Sequence, residues 1–259
     1  MNQDNKIGLV LSGGGFRGAA HIGVIKAMTE RNIVPNFISG TSAGAIIGAL
    51  YAAGYDWKEM YSFLRSIDIF TIKNYTFNKA GILDSSKYAK LFNDKFPENS
   101  FESLKIPLFI ATTDLLEAKT RFYFEGELIP PLIASASLPG IFSPVQFNGR
   151  MLCDGGVTDN LPVEPLISFS DKIIGVYVNP LQEIEHKNLL STRSVLERSY
   201  FIMRNSISQE NLSKCDILIA PKELNNFNIL SKSKIKYIFE LGYQEACIKL
   251  DAYLEDEMK

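Results

Sequence analysis

The sequence predicts an α/β fold, a three-layer sandwich in which a mainly parallel sheet carries helices on both faces. Short apolar runs alternate along the chain with segments of helical periodicity, which is typical of parallel strands joined by helices. The first two apolar runs end in glycine-containing turns that lead directly into helices. No repeat, low-complexity tract or linker divides the 259 residues, so we expect a single domain over residues 1–259.

Two strand–turn–helix units open the chain. Lys6–Ser12 is a short apolar run before glycines, which predicts a buried strand, and Phe16–Arg31 carries apolar residues at helical spacing. Val34–Ser39 predicts a second strand, and Ala43–Ala53, which is apolar nearly all round, predicts a buried second helix. If the two strands are neighbours, both turns meet at the carboxyl edge of the sheet, where the sites of α/β proteins form.

The rest of the chain continues this alternation. Asp56 is a good N-cap for an amphipathic helix, and two later apolar runs could pair as a hairpin. The predicted elements are, in order, a helix at Tyr55–Ile67, an irregular aromatic segment at Ile67–Leu83, a helix capped by Asp84-Ser85 and ending near Phe96, strands at Pro107–Thr113, Thr120–Glu125, Arg150–Cys153 and Lys172–Val178, a helix at Ser191–Leu212, a strand at Asp216–Ala220 and a helix at Ser231–Leu254.

Composition and charge exclude several classes of function. The formal net charge of -2 gives no field that favours nucleic acid, so no nucleic-acid partner is expected. Cys153, Cys215 and Cys247 form no CxxC pair, and the chain has no HExxH helix or calcium loop, so we expect neither a metal ion nor another cofactor. The N-terminus lacks the features of a signal peptide, and no window approaches about 18 uninterrupted apolar residues. We therefore expect a cytoplasmic protein whose membrane contact is at most peripheral.

The turn after the first predicted strand has the sequence GGGFRG over residues 13–18. It satisfies the GxGxxG pattern of dinucleotide-binding proteins, which also requires an acidic residue at the end of the second strand. Val34–Gly40 contains no Asp or Glu, and Ala19 stands where a phosphate-binding P-loop needs lysine. A nucleotide-binding or regulatory module is therefore the weaker hypothesis for this turn.

The turn after the second predicted strand has the sequence GTSAG over residues 40–44, the GxSxG pattern of a nucleophile elbow. The flanking glycines permit a sharp turn where side chains would collide with the neighbouring strand and helix. Ser42 then lies at a helix N-terminus, where free N–H groups and the helix dipole favour a developing oxyanion. Ser42 is therefore the candidate nucleophile for acyl transfer, and the amides of Gly13–Gly15 are candidate oxyanion donors.

A serine nucleophile needs a proton acceptor, and the sequence leaves the choice open. His21 is expected to be a packed residue of the first helix, and His186, in the charged run QEIEHKN, is expected to be solvated. Asp154 follows an apolar run and precedes two glycines, which indicates either a hairpin turn or a carboxylate placed close to another turn. The order Ser42, Asp154, His186 also matches the triad of α/β-hydrolases, so a triad is an alternative.

Four blocks occur in one order along the chain: SGGGFRG, GTSAG, ASASLP over residues 134–139, and DGG over residues 154–156. In this combination the sequence resembles the patatin-like phospholipase family, whose members use a Ser–Asp dyad. The matching blocks lie between residues 7 and 162, and the run VTDNLPVEP after the DGG block also resembles the family. In size the chain is similar to the short, stand-alone bacterial members.

The resemblance implies a patatin-like fold and a role for each site residue. Ser42 would be the nucleophile and Asp154 the general base, whose pKa apolar surroundings should raise above about 3.9. The residues implied in the oxyanion hole are Gly13, Gly14, Gly15, Arg17 and Ala43. The implied activity is hydrolysis of carboxylic esters of lipids, with phospholipids as the expected substrates and no cofactor; the oligomeric state is left open.

A lipid substrate needs an apolar entrance, and two segments could provide it. Aromatic residues are frequent in Ile67–Leu83, and Asn225–Leu230 is a second candidate for the rim. Ahead of the aromatic segment lies an amphipathic stretch whose large apolar side chains are Trp57, Met60, Tyr61, Phe63 and Leu64. These residues form either a core-facing helix followed by an ordered loop, or a lid at the entrance.

Overall fold

The computed structural model describes residues 5–67, 89–230 and 232–257. Its strands are β1 (Ile7–Leu11), β2 (Phe37–Thr41), β3 (Leu108–Asp114), β4 (Lys119–Tyr123), β5 (Val145–Phe147), β6 (Arg150–Asp154), β7 (Lys172–Val176) and β8 (Ile217–Ile219). In this part of the chain the strands form one sheet, connected by hydrogen bonds in the order β5-β6-β3-β2-β1-β7-β8, with β4 also paired to β3.

The helices of the described ranges follow the predicted order. They are α1 (Ala19–Glu30), α2 (Ala43–Ala53), α3 (Trp57–Ser66), α4 (Ala89–Asn93), α5 (Ile129–Ser135), α6 (Glu164–Ile167), α7 (Thr192–Ser213) and α8 (Ile235–Glu257). Both predicted strand–turn–helix units, β1–α1 and β2–α2, are confirmed. The predicted cap is confirmed too, because the Asp56 carboxylate accepts the Glu59 N–H at 2.8 Å and the Glu59 carboxylate accepts the Asp56 N–H at 2.9 Å.

The sheet is parallel at its centre and antiparallel at one side. Strands β3, β2, β1, β7 and β8 run parallel, whereas β4, β5 and β6 enter antiparallel pairings. The expected hairpin of β3 and β4 is present. Because residues 110–114 of β3 all pair with β4, β2 and β6 share the opposite edge of β3. This shared edge later determines where the site forms.

Alternate side chains of β1 enter two different cores, as expected for a strand buried on both faces. Leu9 and Leu11 pack in the larger core, with apolar residues of α1, α2, α3 and α8. Val10 packs in the smaller core on the other face, where Leu166 of α6 and Leu212 of α7 also lie. The predicted sandwich with helices on both faces is therefore confirmed.

Several elements differ from the sequence prediction: the patterns indicate neither β5, α5 nor α6, and β2 starts later than predicted. The patterns do not indicate α5, because Pro130 and Pro131 resemble a helix break; both lie in the first turn, where proline costs no hydrogen bond. Strand β2 begins at Phe37 instead of Val34, because Asn36 anchors the preceding loop to β1. The Asn36 side chain accepts the Ile7 N–H at 2.8 Å, and its own N–H donates to the Ile7 carbonyl at 2.7 Å.

Some predictions fall on residues outside the described ranges. The aromatic segment at Ile67–Leu83 lies there except for Ile67, as do the cap at Asp84-Ser85 and Ser231, the predicted start of the last helix. Among the helices that are described, none combines the length and the apolar character that a bilayer crossing requires.

Candidate active site

Ser42 occupies a sharp turn between β2 and α2, in a backbone conformation that residues other than glycine rarely adopt. Its φ is 54°, and such a conformation persists only where the surroundings enforce it. A side chain at Gly40 would lie 2.7 Å from the Ala45 nitrogen. A side chain at Gly44 would overlap the Leu11 carbonyl oxygen. The tight packing that the two glycines allow therefore creates the turn that GTSAG predicts.

Strand β3 brings the acid turn to the serine turn. Strand β2 runs parallel to β3 and ends with Thr41 opposite Ala111. Strand β6 runs antiparallel along the same edge, and Asp154 lies opposite Thr112, one register position further on. The carboxyl ends of β2 and β6 therefore meet end to end, and the Ser42 hydroxyl lies close enough to the Asp154 carboxylate to interact with it.

The Asp154 carboxylate is buried and has several partners. The residue is 2% exposed, and burial is the main influence on its pKa, which it raises above the ordinary value. The positive charge of Arg204, the Ser42 hydroxyl and the Gly156 N–H act in the opposite direction, the last at 2.7 Å from Oδ1. Gly155 permits this burial, since a side chain there would overlap the Ala111 carbonyl.

The ASASLP block ties both turns together. Ser135 Oγ accepts the Ser42 N–H at 2.8 Å and donates to the Ala111 carbonyl of β3 at 2.7 Å. Two residues later, the Ser137 carbonyl accepts the Asp154 N–H at 3.0 Å. The sequence marks this block as part of a family pattern, whereas its contacts explain what the block does: it holds the backbone of both turns.

The glycine turn contributes two of its three predicted amides to the cavity wall. The Gly13 N–H is already used, donating to the Asn160 carbonyl at 3.2 Å, and the Phe16 N–H donates to the Ile229 carbonyl at 2.7 Å. Gly14 and Gly15, which lie between them, line the cavity beside Ser42. Ala43, at the first position of α2, lines it as well.

Arg17 is buried, but it does not line the cavity. Its Nε donates to the Phe227 carbonyl at 2.7 Å, and its guanidinium lies 5.5 Å from the centre of the Phe201 ring. Burial, and then the charge of Arg204, lower its pKa to about 10. The placement of Arg17 in an oxyanion hole is therefore wrong for its side chain, which fastens the glycine turn to the C-terminal part of the chain.

Neither histidine lines the cavity that contains Ser42. His21 is fully buried in α1, where burial lowers its pKa to about 4 and Nε2 lies 2.8 Å from the Ser12 carbonyl oxygen. The neutral imidazole thus supports the strand end before the glycine turn. His186 is exposed in a short turn after β7 and does not line the cavity.

An apolar cavity opens above Ser42 and Asp154. Most of its lining is aliphatic or aromatic, including Phe16, Ile46, Ile47, Leu64, Ile133 and Phe142. The predicted rim at 225–230 contributes Ile229 and Leu230. Helix α3 is mainly a core-facing helix, since Met60 and Phe63 are buried in the core while Leu64 reaches the cavity.

Arg204 and Asn160 form a polar pair behind the two turns. Arg204, on α7, lines the cavity, and its Nη2 donates to Asn160 Oδ1. A β-carbon at Gly13 would lie 2.7 Å from Asn160 Oδ1 and 3.0 Å from Arg204 Nη2, which explains the need for glycine there. The sequence carries no signal for Arg204, because it lies in a long helix without a motif.

The three cysteines Cys153, Cys215 and Cys247 are free thiols. Burial raises the pKa of Cys153 and of Cys215 to about 12, so neither is a ready nucleophile. In the described part of the chain, no three His, Cys, Asp or Glu side chains are grouped as they would be around a metal ion.

A serine at a strand-to-helix turn, close to a buried carboxylate beside an apolar cavity, is typical of serine hydrolases that act on apolar esters. A family model described as patatin-like phospholipase matches residues 9–167, more than half of the chain. The chain therefore belongs to the patatin-like phospholipase family, and the resemblance carried by the four sequence blocks is confirmed.

Similar proteins are longer than this chain. An uncharacterised NTE family protein of Mycobacterium tuberculosis is 35% identical over 177 residues, which cover 67% of this chain and 49% of that protein. Lysophospholipase NTE1 of Kluyveromyces lactis is 26% identical over 270 residues, covering 92% of this chain and 18% of that protein. The chain thus spans about half of the mycobacterial relative. Among solved structures, VipD from Legionella pneumophila shares the fold with a TM-score of 0.62 and 15% identity, covering 96% of this chain and 67% of VipD.

Proposed function

We propose that this protein hydrolyses carboxylic esters of lipids, with Ser42 as nucleophile and Asp154 as general base. The observation that carries the proposal is the interaction of the Ser42 hydroxyl with a buried carboxylate, both in the wall of one apolar cavity. A hydroxyl is a weak nucleophile until a base accepts its proton. Asp154 is the acceptor within reach, whereas both histidines lie elsewhere.

The reaction proceeds in two halves through an acyl-enzyme. Ser42 Oγ attacks the ester carbonyl carbon while its proton passes to Asp154; the tetrahedral intermediate collapses, and the alcohol leaves with that proton. Asp154 next takes a proton from water, whose oxygen attacks the acyl-serine. Collapse of the second intermediate releases the fatty acid and returns the proton to Ser42. Burial supports this role, because a raised pKa makes the carboxylate a stronger base.

The negative charge on the carbonyl oxygen needs N–H donors, and two chain segments supply them. Ala43 is the first residue of α2, and the first bond of that helix joins the Ile46 N–H to the Ser42 carbonyl at 3.1 Å. The amides before Ile46 thus belong to the free first turn of the helix. Together with Gly14 and Gly15 across the cavity, the Ala43 amide forms the proposed oxyanion hole.

The shape and polarity of the cavity support a lipid acyl chain as its occupant. The polar side chains in its wall, which include those of Ser42, Asp154 and Arg204, belong to the reacting end, and the rest is mainly apolar. The name of the yeast relative, a lysophospholipase, favours phospholipids or lysophospholipids as substrates. We extend the proposal to that class.

Peripheral contact with a lipid surface is part of the proposal, through an apolar stripe on α7. Leu196 is 66% exposed, Met203 64% and Ile207 44%, and their spacing places them on one side of the helix. Such side chains are suited to the interface of the phase that holds the substrate. The double variant L196E/M203E should float less with phosphatidylcholine vesicles while hydrolysing a water-soluble ester like wild type. Equal flotation of both proteins would remove this part of the proposal.

Activity profiling on a mixed lipid extract tests the function directly. Wild-type protein should release free fatty acids, and Ser42→Ala should release none above background. Ser213→Ala, at an exposed serine near the end of α7, is the matched control and should behave like wild type. A fluorophosphonate should label the wild type and the control but leave Ser42→Ala unlabelled. Undiminished fatty-acid release by Ser42→Ala would refute the proposal.

A further inference from the structure

Arg204 is a buried cation without an ion-pair partner. It is 3% exposed, its Nη2 donates to Asn160 Oδ1, and its guanidinium lies 5.4 Å from the centre of the Tyr200 ring. Among the described residues it forms no ion pair, and its Nε has no hydrogen-bond partner. Burying an uncompensated charge is costly, so its position beside the site calls for an explanation.

The acid turn is packed around this guanidinium. A β-carbon at Gly156 would lie 2.7 Å from Arg204 Nη2 and 2.9 Å from Asp154 Oδ1, so the cation and the carboxylate approach the same point. Asn160 Oδ1 lies 2.9 Å from that point as well. The glycine at 156 thus lets Arg204 approach the acid turn without a direct ion pair to Asp154.

Arg204 is also the charged group that acts on Asp154 among the described residues. Two other titratable groups interact with this carboxylate, Tyr200 from α7 and Cys153 from β6. Burial raises the pKa of each to about 12, so both are neutral near pH 7. The remaining partners, the Ser42 hydroxyl and the Gly156 N–H, are uncharged hydrogen-bond donors.

We propose that Arg204 is a positioning residue of the site, whose buried positive charge keeps Asp154 ionised so that it can accept the Ser42 proton. The inference rests on the proposed function and adds a requirement to it. A carboxylate buried in an apolar wall is otherwise driven to its neutral form, in which it cannot act as a base.

The absence of a direct ion pair between Arg204 and Asp154 in the described structure suits this role. A direct, bidentate guanidinium–carboxylate pair would stabilise the ionised form strongly and weaken the carboxylate as a base. With Asn160 holding the Arg204 Nη2, the charge acts through space, and the oxygens of Asp154 are left to Ser42 and to the Gly156 N–H. The site thereby combines an ionised carboxylate with useful basicity.

The pH dependence of kcat/KM on a water-soluble ester, p-nitrophenyl butyrate, tests the proposal. Arg204→Gln keeps a donor for Asn160 but removes the charge, whereas Arg204→Lys keeps the charge in a similarly shortened side chain. The acidic limb should move upward by about one pH unit or more in Arg204→Gln, a roughly tenfold loss at a fixed pH on that limb. Arg204→Lys should stay close to wild type. Arg198→Gln, which removes a charge from the same helix, should leave the limb unchanged.

A loss in Arg204→Gln by the same factor at every pH, or an unmoved acidic limb, would overturn the proposal. Infrared spectroscopy gives a second measurement: the protonated-carboxyl band of Asp154, identified at low pH as the band that wild type shows and Asp154→Asn lacks, should be missing from wild type at pH 7. Its presence there would also overturn the proposal. If instead wild type does not hydrolyse the ester, or Ser42→Ala hydrolyses it equally, the proposed function fails.

Discussion

The serine turn at residues 40–44 and the acid turn at residues 154–156 reach the same point by different means. The serine turn depends on its own glycines, which pack against α2 and β1 and hold Ser42 at a φ of 54°. The acid turn depends on distant partners, since Asp154 is placed by Thr112 of β3 and its N–H is held by the Ser137 carbonyl. The proposed nucleophile is therefore positioned by local backbone geometry, and the proposed base by long-range contacts and charge.

The surroundings of the Ser42 and Asp154 side chains differ as well. Ser42 lines the cavity together with Gly14 and Ala43, whereas Asp154 is buried and interacts with a buried cation. Changes at the serine turn should alter activity by a factor that is independent of pH. Changes around the acid turn should alter its dependence on pH.

The largest effects on kcat are expected when Ser42 loses its hydroxyl or Asp154 loses its carboxylate. Ser42→Ala and Asp154→Asn should each lower kcat by about 10⁴ or more, because one removes the covalent route and the other its base. Steady-state kinetics on a soluble ester, with circular dichroism to verify folding, measure this. If Asp154→Asn kept substantial turnover, the two turns would not act as a pair.

The oxyanion turn should show the next largest effect. In Gly14→Ala the new methyl group would overlap the Val178 side chain and displace the amide, lowering kcat by roughly 10² with little change in KM. Gly48→Ala adds a methyl group inside α2 at a less crowded position, 3.0 Å from Ile38 Cγ2, and serves as the control for a methyl group added in the core. A variant at Gly14 that changed KM alone would favour a ligand-binding loop.

A smaller effect on kcat is expected at Ser135, whose hydroxyl connects the serine turn to β3, the strand that also places Asp154. Ser135→Ala leaves the Ser42 N–H and the Ala111 carbonyl without their shared partner, which should cost about 1–3 kcal/mol of unfolding free energy and lower kcat roughly tenfold. Urea unfolding and kinetics measure the two quantities. Ser137→Ala is the matched control, because its hydroxyl donates only to the Ile133 carbonyl of the preceding turn. Equal loss of kcat in both variants would indicate a purely structural role.

The pH dependence distinguishes the acid turn from other buried carboxylates. Burial raises the pKa of Asp154, so activity should fall as pH decreases through that raised value, above the ordinary value of about 3.9. Stability has the opposite sign: a raised pKa stabilises the fold at low pH, and this contribution is lost as pH rises through the raised value. Asp154→Asn should therefore be inactive and more stable than wild type at neutral pH.

Asp159 provides the control for this experiment. Burial raises its pKa to about 6, yet Asp159 does not line the cavity. Asp159→Asn should keep the acidic limb of kcat/KM where it is in wild type. If the acidic limb moved in this variant, the limb would reflect the titration of Asp159, and our assignment of it to Asp154 would be wrong.

The smallest effect is expected at His186, which tests the alternative triad. Its side chain is exposed and is not part of the cavity lining, so His186→Ala should keep kcat within a few-fold of wild type. If a triad operated, the same change would cost on the order of 10⁴ in kcat. That loss in a folded protein would overturn the assignment of Asp154 as the base.

Local patterns in the sequence determined the strand–turn–helix units, the GTSAG turn and the order of the family blocks. These predictions succeed because hydrophobic periodicity, glycine and capping residues act over a few neighbouring residues. The family resemblance, and not these patterns, places Arg17 in the oxyanion hole; its guanidinium donates instead to the Phe227 carbonyl, 210 residues along the chain.

Only the tertiary structure decided how the site is completed. The end-to-end meeting of β2 and β6 depends on their registers along β3, and the Arg204–Asn160 pair depends on how α7 packs behind the acid turn. Neither leaves a mark in sequence spacing, since strand registers and helix packing join residues that are far apart along the chain. The sequence by itself determined which residue types are present for chemistry. Packing decided which of them meet, and through burial and charge it decided the protonation of the buried groups around Ser42.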